Sequence, residues 1–306
     1  MDQASSLRKI VKKQAEGTLK KRMPNKAVNE NGKRLPRVIA VTSGKGGVGK
    51  TNIVASLAVA FSKLDQRVLI LDADLGLANI DIIFGVRPEY NISHVISGEK
   101  SLSEIIFEVR PQVRIIPAGS GFENLTALTE GQKLHLLSEF EALDGVADFV
   151  LIDTGAGISA NVLYFNMAAD DCVVIATHEP TSITDAYAMM KVMSTNHGMK
   201  RYKLLVNMVK DEGEAKQVYL TLSQAVDRFL KGTVLEYLGF IPQDEKLRAA
   251  VLSRKTVMEK YPEAPSSQRI FSQAKAFIDA PVPLDGGGNM KFFMQRFLHH
   301  LNPIRR

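Results

Sequence analysis

Arg37-Val-Ile-Ala-Val-Thr-Ser-Gly44-Lys45-Gly46-Gly47-Val48-Gly49-Lys50-Thr51 is the stretch that decides the fold. Backbone N–H groups can converge on an anion only where side chains do not block them, which accounts for Gly44, Gly46, Gly47 and Gly49. The spacing Gly44-x-x-x-x-Gly49-Lys50-Thr51 fits a loop whose lysine reaches the outer phosphates of a nucleotide and whose threonine hydroxyl meets Mg2+. Apolar Val38 to Val41 reads as a buried strand entering the loop. Val54, Leu57, Ala58, Phe61 and Leu64 leave it at helical spacing, so phosphate would sit on a helix N-terminus. The candidate nucleotide site is therefore Gly44 through Val48 to Thr51, with a second lysine, Lys45, inside it.

A chain of 306 residues, 45% of them hydrophobic, can bury one large α/β core. Its single cysteine, Cys172, excludes intramolecular disulfides and any metal or iron-sulfur site built from several thiolates. No apolar run approaches the roughly 20 residues of a spanning helix, and the N-terminus lacks a signal-peptide core. The expectation is a cytoplasmic protein, or one peripheral to a membrane. Net charge is +6 but unevenly placed: residues 1–37 hold 11 Lys/Arg against 3 Asp/Glu, and residues 291–306 hold 4 against none. The remaining body is acidic, 24 against 30. Basic tails suit anionic lipid, nucleic acid or acidic protein surfaces, while the acidic body argues against broad DNA contact.

Short apolar runs recur at Val38 to Val41, Val68 to Leu71, Val113 to Ile116, Phe149 to Ile152, Val173 to Ala176, Leu204 to Val206 and Val234 to Ile241. Helical segments lie between them, which predicts an α/β fold with a mostly parallel twisted sheet flanked by helices. Ser101-Leu-Ser-Glu104 and Ser182-Ile-Thr-Asp185 have the form of capping boxes. Asp72 and Asp74 end the second run and Asp153 ends a later one. Carboxylates at strand ends beside a phosphate loop can hold the waters of Mg2+ or orient an attacking water. The Pro- and Gly-rich stretch 281–289 reads as a linker. The expected organisation is a basic tail at 1–36, a nucleotide domain at 37–280, that linker, and a terminal helix at 290–306.

Lys45-Gly-Gly-Val-Gly-Lys50-Thr51, Asp72-Ala-Asp74-Leu-Gly-Leu-Ala-Asn79 and Asp153-Thr-Gly-Ala-Gly157 occur in this order, and over roughly residues 37–280 the chain resembles the MinD/ParA class of deviant phosphate-loop ATPases. The resemblance implies a homodimer with two ATP molecules between its subunits, Lys45 crossing the interface to the partner's phosphates. It implies that Lys50 and Thr51 bind phosphate and Mg2+, that Asp72 and Asp153 lie near the metal, that Asp74 positions the hydrolytic water, and that Asn207 reads adenine. No additional strong base is evident, so hydrolysis should be slow until a partner orders the site. Within the class, Thr177-His-Glu-Pro-Thr-Ser-Ile-Thr-Asp185-Ala-Tyr187 and Gly239-Phe-Ile-Pro-Gln-Asp244 resemble the FlhG/FleN family of flagellar-number regulators. Asp2-Gln-Ala-Ser-Ser-Leu-Arg8 resembles their activator motif. It implies stimulation of a flagellar GTPase of signal-recognition-particle type through Asp2, Gln3, Leu7 and Arg8. Rotor proteins and a flagellar transcriptional activator are further implied partners. A division-site regulator or a DNA-partition module are the competing readings.

At about 100° per residue, Met290, Phe293, Met294, Phe297, Leu298 and Leu301 share an arc of about 140°, with Lys291, Gln295, Arg296 and His299 opposite. Such a helix, roughly 18 Å long at about 1.5 Å per residue, is too short to cross a bilayer and suits lying in an anionic membrane surface. The same pattern fits a helix docked back on its own domain.

Overall fold

The computed structural model describes residues 35–74, 79–117, 128–281 and 290–301, with backbone alone at 290–292 and 300–301. Asp2, Gln3, Leu7 and Arg8 lie outside the described residues, as does the Leu301 side chain. Among the described residues eight strands, β1 (Arg37–Ser43), β2 (Val68–Ala73), β3 (Phe107–Arg110), β4 (Val113–Ile116), β5 (Phe149–Ala156), β6 (Asp171–Ala176), β7 (Arg201–Val209) and β8 (Val234–Pro242), form one sheet ordered β3-β4-β2-β5-β1-β6-β7-β8. Helices of eight residues or more are α1 (Lys50–Ser62), α2 (Glu130–Glu141), α3 (Ala160–Ala168), α4 (Pro180–Asn196), α5 (Glu212–Phe229), α6 (Glu245–Leu252), α7 (Pro265–Asp279) and α8 (Met290–Leu301).

All seven expected strands are present, and their pairings are parallel. The addition is β3, antiparallel to β4. It precedes β4 and reaches it through a turn at Gln112, whose φ is 63°, and its Phe107 and Glu108 stay exposed. Such a short edge strand carries no continuous apolar run, so its pattern does not announce it.

Alternate residues divide the core between the two faces of the sheet, as a strand's period of two requires. Ile39, Val41, Phe149 and Leu151 face α1 and α7, where Phe61 stacks on Phe149 with ring centroids 4.2 Å apart. Val38, Ala40, Val150 and Ile152 face α2, α3 and α8. Val174, Leu204 and Val206 meet the methionines of α4 and the apolar stripe of α5. Both faces being covered, the central strands can be apolar throughout. Cys172 lies in this core, and burial raises its thiol pKa, so it stays a protonated packing residue.

At the amino end of β1, buried Arg37 pairs with Asp171 at 2.6 Å. It also donates to the carbonyls of Phe277 (2.8 Å) and Ala280 (3.2 Å). Those carbonyls close α7, so a cation satisfies orphan acceptors at its C-terminus.

The C-terminal helix, whose pattern fits either a membrane surface or its own domain, is docked on the domain as α8. Phe293, Met294 and Phe297 are fully buried and Leu298 nearly so, in one cluster with Leu136, Phe140 and Phe165 of α2 and α3. Phe297 stacks on Phe165 at 4.4 Å. On its polar face, Arg296 donates to the buried Asp170 at 3.2 Å. A 3.6-residue apolar stripe fits lipid and protein equally, and here the sheet leaves a groove of matching chemistry.

The Ser101 capping box forms. The Ser182 box does not: α4 begins two residues earlier at Pro180, with Glu179 as N-cap. Proline suits the first helical position because its missing N–H would be orphaned there. Ser182 instead accepts a 3.0 Å hydrogen bond from the Thr177 amide, tying the end of β6 to α4.

Candidate functional site

The phosphate loop joins β1 to α1 at the carboxyl end of the sheet. Gly47 and Gly49 adopt left-handed φ values of 79° and 89°. The first turn of α1 has no side-chain cap and no acidic residue. Its orphan N–H groups and positive dipole end therefore await an anion supplied from outside the chain. Lys50 is buried at the base of the loop. The Ser43 hydroxyl donates to the Lys45 carbonyl at 2.7 Å and fixes the loop's entry.

Gly44 is required for another reason. A Cβ on it would stand 2.2 Å from the Asp185 carbonyl carbon of α4. The obstacle is backbone, which cannot rotate aside. Gly44→Ala is expected to destabilise the fold by about 1–3 kcal/mol and to weaken nucleotide binding at least about tenfold. Gly46→Ala, with open space around its Cβ, should leave unfolding unchanged. Denaturant melts and calorimetric titration of both variants check this pair.

Parallel pairing assembles the acidic groups. Asp72 on β2 is directly opposite Asp153 on β5, and Asp153 is opposite Val41 of β1. Asp72 accepts from the amides of Asp74 and Ile80, each at 3.3 Å. Burial pushes its pKa up to about 7. Burial first, and then the Asp72 charge, push Asp153 up to about 8, while the nearby Thr51 hydroxyl and Lys50 ammonium pull the other way. Asp74 lies just beyond β2 beside the end of β5, its Oδ1 3.4 Å from where a Cβ on Gly155 would stand.

Both Asp153 oxygens are buried without a hydrogen-bond partner of regular geometry. Two desolvated carboxyls facing each other beside Thr51 fit a divalent cation, whose charge would favour their ionised forms. Among the described residues no three His, Cys, Asp or Glu groups converge to hold a metal by themselves. That suits Mg2+, which keeps waters and takes phosphate oxygens. Thr51, Asp72 and Asp153 are thus brought together as expected from their positions.

Two expected residues are engaged within the chain. Lys45 is partly exposed at the rim of the loop, its Nζ 2.6 Å from Glu179 and 3.0 Å from the Thr181 hydroxyl at the start of α4. Its hydrogen bond and charge hold the Glu179 carboxyl below the usual range. Asn207 is buried and donates to the Val48 carbonyl at 2.7 Å. It also lines a cavity of about 450 Å3 that runs from Gly49 to Pro242, Gln243 and Arg248. Pro242 ends edge strand β8 and Gln243 follows it, at the carboxyl end where open α/β sheets bind ligands, so position could have marked them. Met208 and Arg248, also in this wall, carry no comparable sequence signal.

The CobQ/CobB/MinD/ParA nucleotide-binding domain model matches residues 39–257. The chain belongs to the MinD/ParA family. Antiactivator FleN of Pseudomonas aeruginosa is 39% identical over 264 residues, covering 86% of this chain and 94% of its own length. Flagellum site-determining protein YlxH of Helicobacter pylori is 37% identical over 271 residues, covering 87% and 90% respectively. Among solved structures, the MinC:MinD cell division protein complex of Aquifex aeolicus superposes with a TM-score of 0.64 at 28% identity, covering 81% of this chain and 98% of that one. The loop, the uncapped helix end and the carboxyl pair all lie within the residues matched by that nucleotide-binding domain.

Proposed function

We propose that the chain is a Mg2+-dependent ATPase that dimerises around ATP and sets the number and placement of flagella, acting through a GTPase of signal-recognition-particle type. The observation that carries this reading is the phosphate loop, an uncapped helix end with Lys50 at its base and Lys45 displayed on its rim. Similarity to FleN and YlxH along nearly their whole lengths supports the flagellar assignment. A transcriptional activator, already implied beside the GTPase, is a further class of partner, and FleN's description as an antiactivator supports it.

In this reading the loop amides and Lys50 bind the outer phosphates, and Asn207 faces the adenine. Thr51, Asp72 and Asp153 hold Mg2+ directly or through its waters, and Asp74 orients the water that attacks. Bound Mg2+ supplies positive charge to the phosphates being split. Lys45 exchanges Glu179 for the phosphates of a second copy. That exchange is easy because exposed ion pairs are weak.

Reversible residence at the inner face of the cell membrane requires α8 to leave its groove. Groove and lipid both bury Phe293, Met294, Phe297 and Leu298, at about 1.5–3 kcal/mol each relative to water. The docked and membrane states are therefore closer to each other than either is to a solvated helix. Two helices held together by a dimer gain about 10²-fold or more from effective concentration. Flotation with anionic vesicles tests the coupling, and equal binding in ATP and ADP would sink it. Phe165→Ala, which loosens the groove but keeps the helix face, is expected to raise nucleotide-free vesicle binding several-fold.

GTPase assays of the partner with the intact chain and with a chain lacking residues 1–20 test the flagellar reading. Stimulation should be lost with the segment. Absence of stimulation by the intact chain would favour a division-site regulator, the reading that the MinC:MinD neighbour supports.

A further inference from the structure

β7 and β8 pair without a break from Leu205↔Gly239 to Asn207↔Ile241 and again at Val209↔Pro242, which leaves Met208 as an extra residue between them. Its φ is +57°, a left-handed value that suits Asn or Gly and strains a methionine. Methionine has no local hydrogen bond to offer in return. In a regular strand Asn207 and Met208 would point to opposite faces of the sheet. The bulge sets both in the wall of the same cavity. Met208 is 38% exposed there, and its Cε lies 3.4 Å from where a Cβ on Gly49 would stand. The side chain thus starts beside the phosphate loop and borders the space that leads outward to Pro242 and Arg248.

We propose that Met208 packs its thioether against the π face of the nucleobase while Asn207 meets the base edge, so that the bulge makes a two-residue purine clamp. This rests on the reading that the cavity holds ATP. A polarisable thioether makes favourable contacts with aromatic rings. It does so with any purine, so Met208 contributes affinity and Asn207 contributes choice of base. The strained backbone is the structural cost of aiming both side chains one way.

Met208→Asn tests the clamp, because asparagine tolerates the left-handed conformation but lacks the thioether. Its melting temperature without nucleotide is expected to rise by about 2–4 °C. Its Kd for ATP should rise about three- to tenfold, while its Kd for inorganic tripolyphosphate, which has no base, should change less than about twofold. Met208→Leu, apolar and of similar volume but without the sulfur, should weaken ATP binding less than Met208→Asn does. Equal weakening for ATP and tripolyphosphate would overturn the proposal by showing that Met208 only shapes the loop, and an unchanged ATP affinity would overturn it outright. A wild-type chain that binds ATP no more tightly than tripolyphosphate would instead overturn the ATP reading itself.

Discussion

Asp74→Ala is expected to lower the turnover of Mg-ATP by about 10²–10³-fold while leaving the ATP dissociation constant within about threefold of the wild type. The split follows from placement. Asp74 lies beyond Asp72, next to Gly155, where it can meet a water in front of the phosphates, but it supplies nothing to the loop that binds them. Lys50, the loop amides and the carboxyl pair all remain. Single-turnover hydrolysis measured beside a binding titration reads both quantities, and turnover within a factor of three of the wild type would remove Asp74 from the hydrolytic role. The same variant should accumulate the ATP-bound dimer, because its exit by hydrolysis is closed.

Lys45→Ala is expected to abolish that dimer, weakening ATP-dependent association by about 10²-fold or more. ATP binding to the single chain should change little, since Lys45 reaches Glu179 and Thr181 and not the interior of its own loop. Sedimentation in the Asp74→Ala background, with ATP saturating, separates the two effects. A fully dimeric double variant would contradict the role of Lys45. Vesicle binding should fall with dimerisation, so the same protein reports on whether the two are linked.

The parts legible in the sequence are those in which one residue type has one physical use. Central strands buried on both faces read as apolar runs, and a glycine-rich turn between strand and helix reads as an anion cradle. Asp72 and Asp153 could be placed near each other because parallel strands bring their carboxyl ends together. Residues with two equally good uses were not settled by pattern. The stripe Phe293, Met294, Phe297 and Leu298 suits a groove or a membrane alike. Ser182 suits an N-cap, but Pro180 started the helix earlier and left it to hold Thr177. Lys45 gives no sign in sequence of its hold on Glu179, which lies 134 positions away. Met208 reads as one more apolar residue in a strand, because a bulge is a property of pairing and not of composition.

Arg37 has a consequence for orientation. By holding the carbonyls at the end of α7, it fixes where the chain departs for its last helix, at the foot of the strands and not at their nucleotide end. The seven residues of β1 separate those ends by about 23 Å. Whatever follows α7 therefore sets out from the end of the sheet that the phosphate loop does not use.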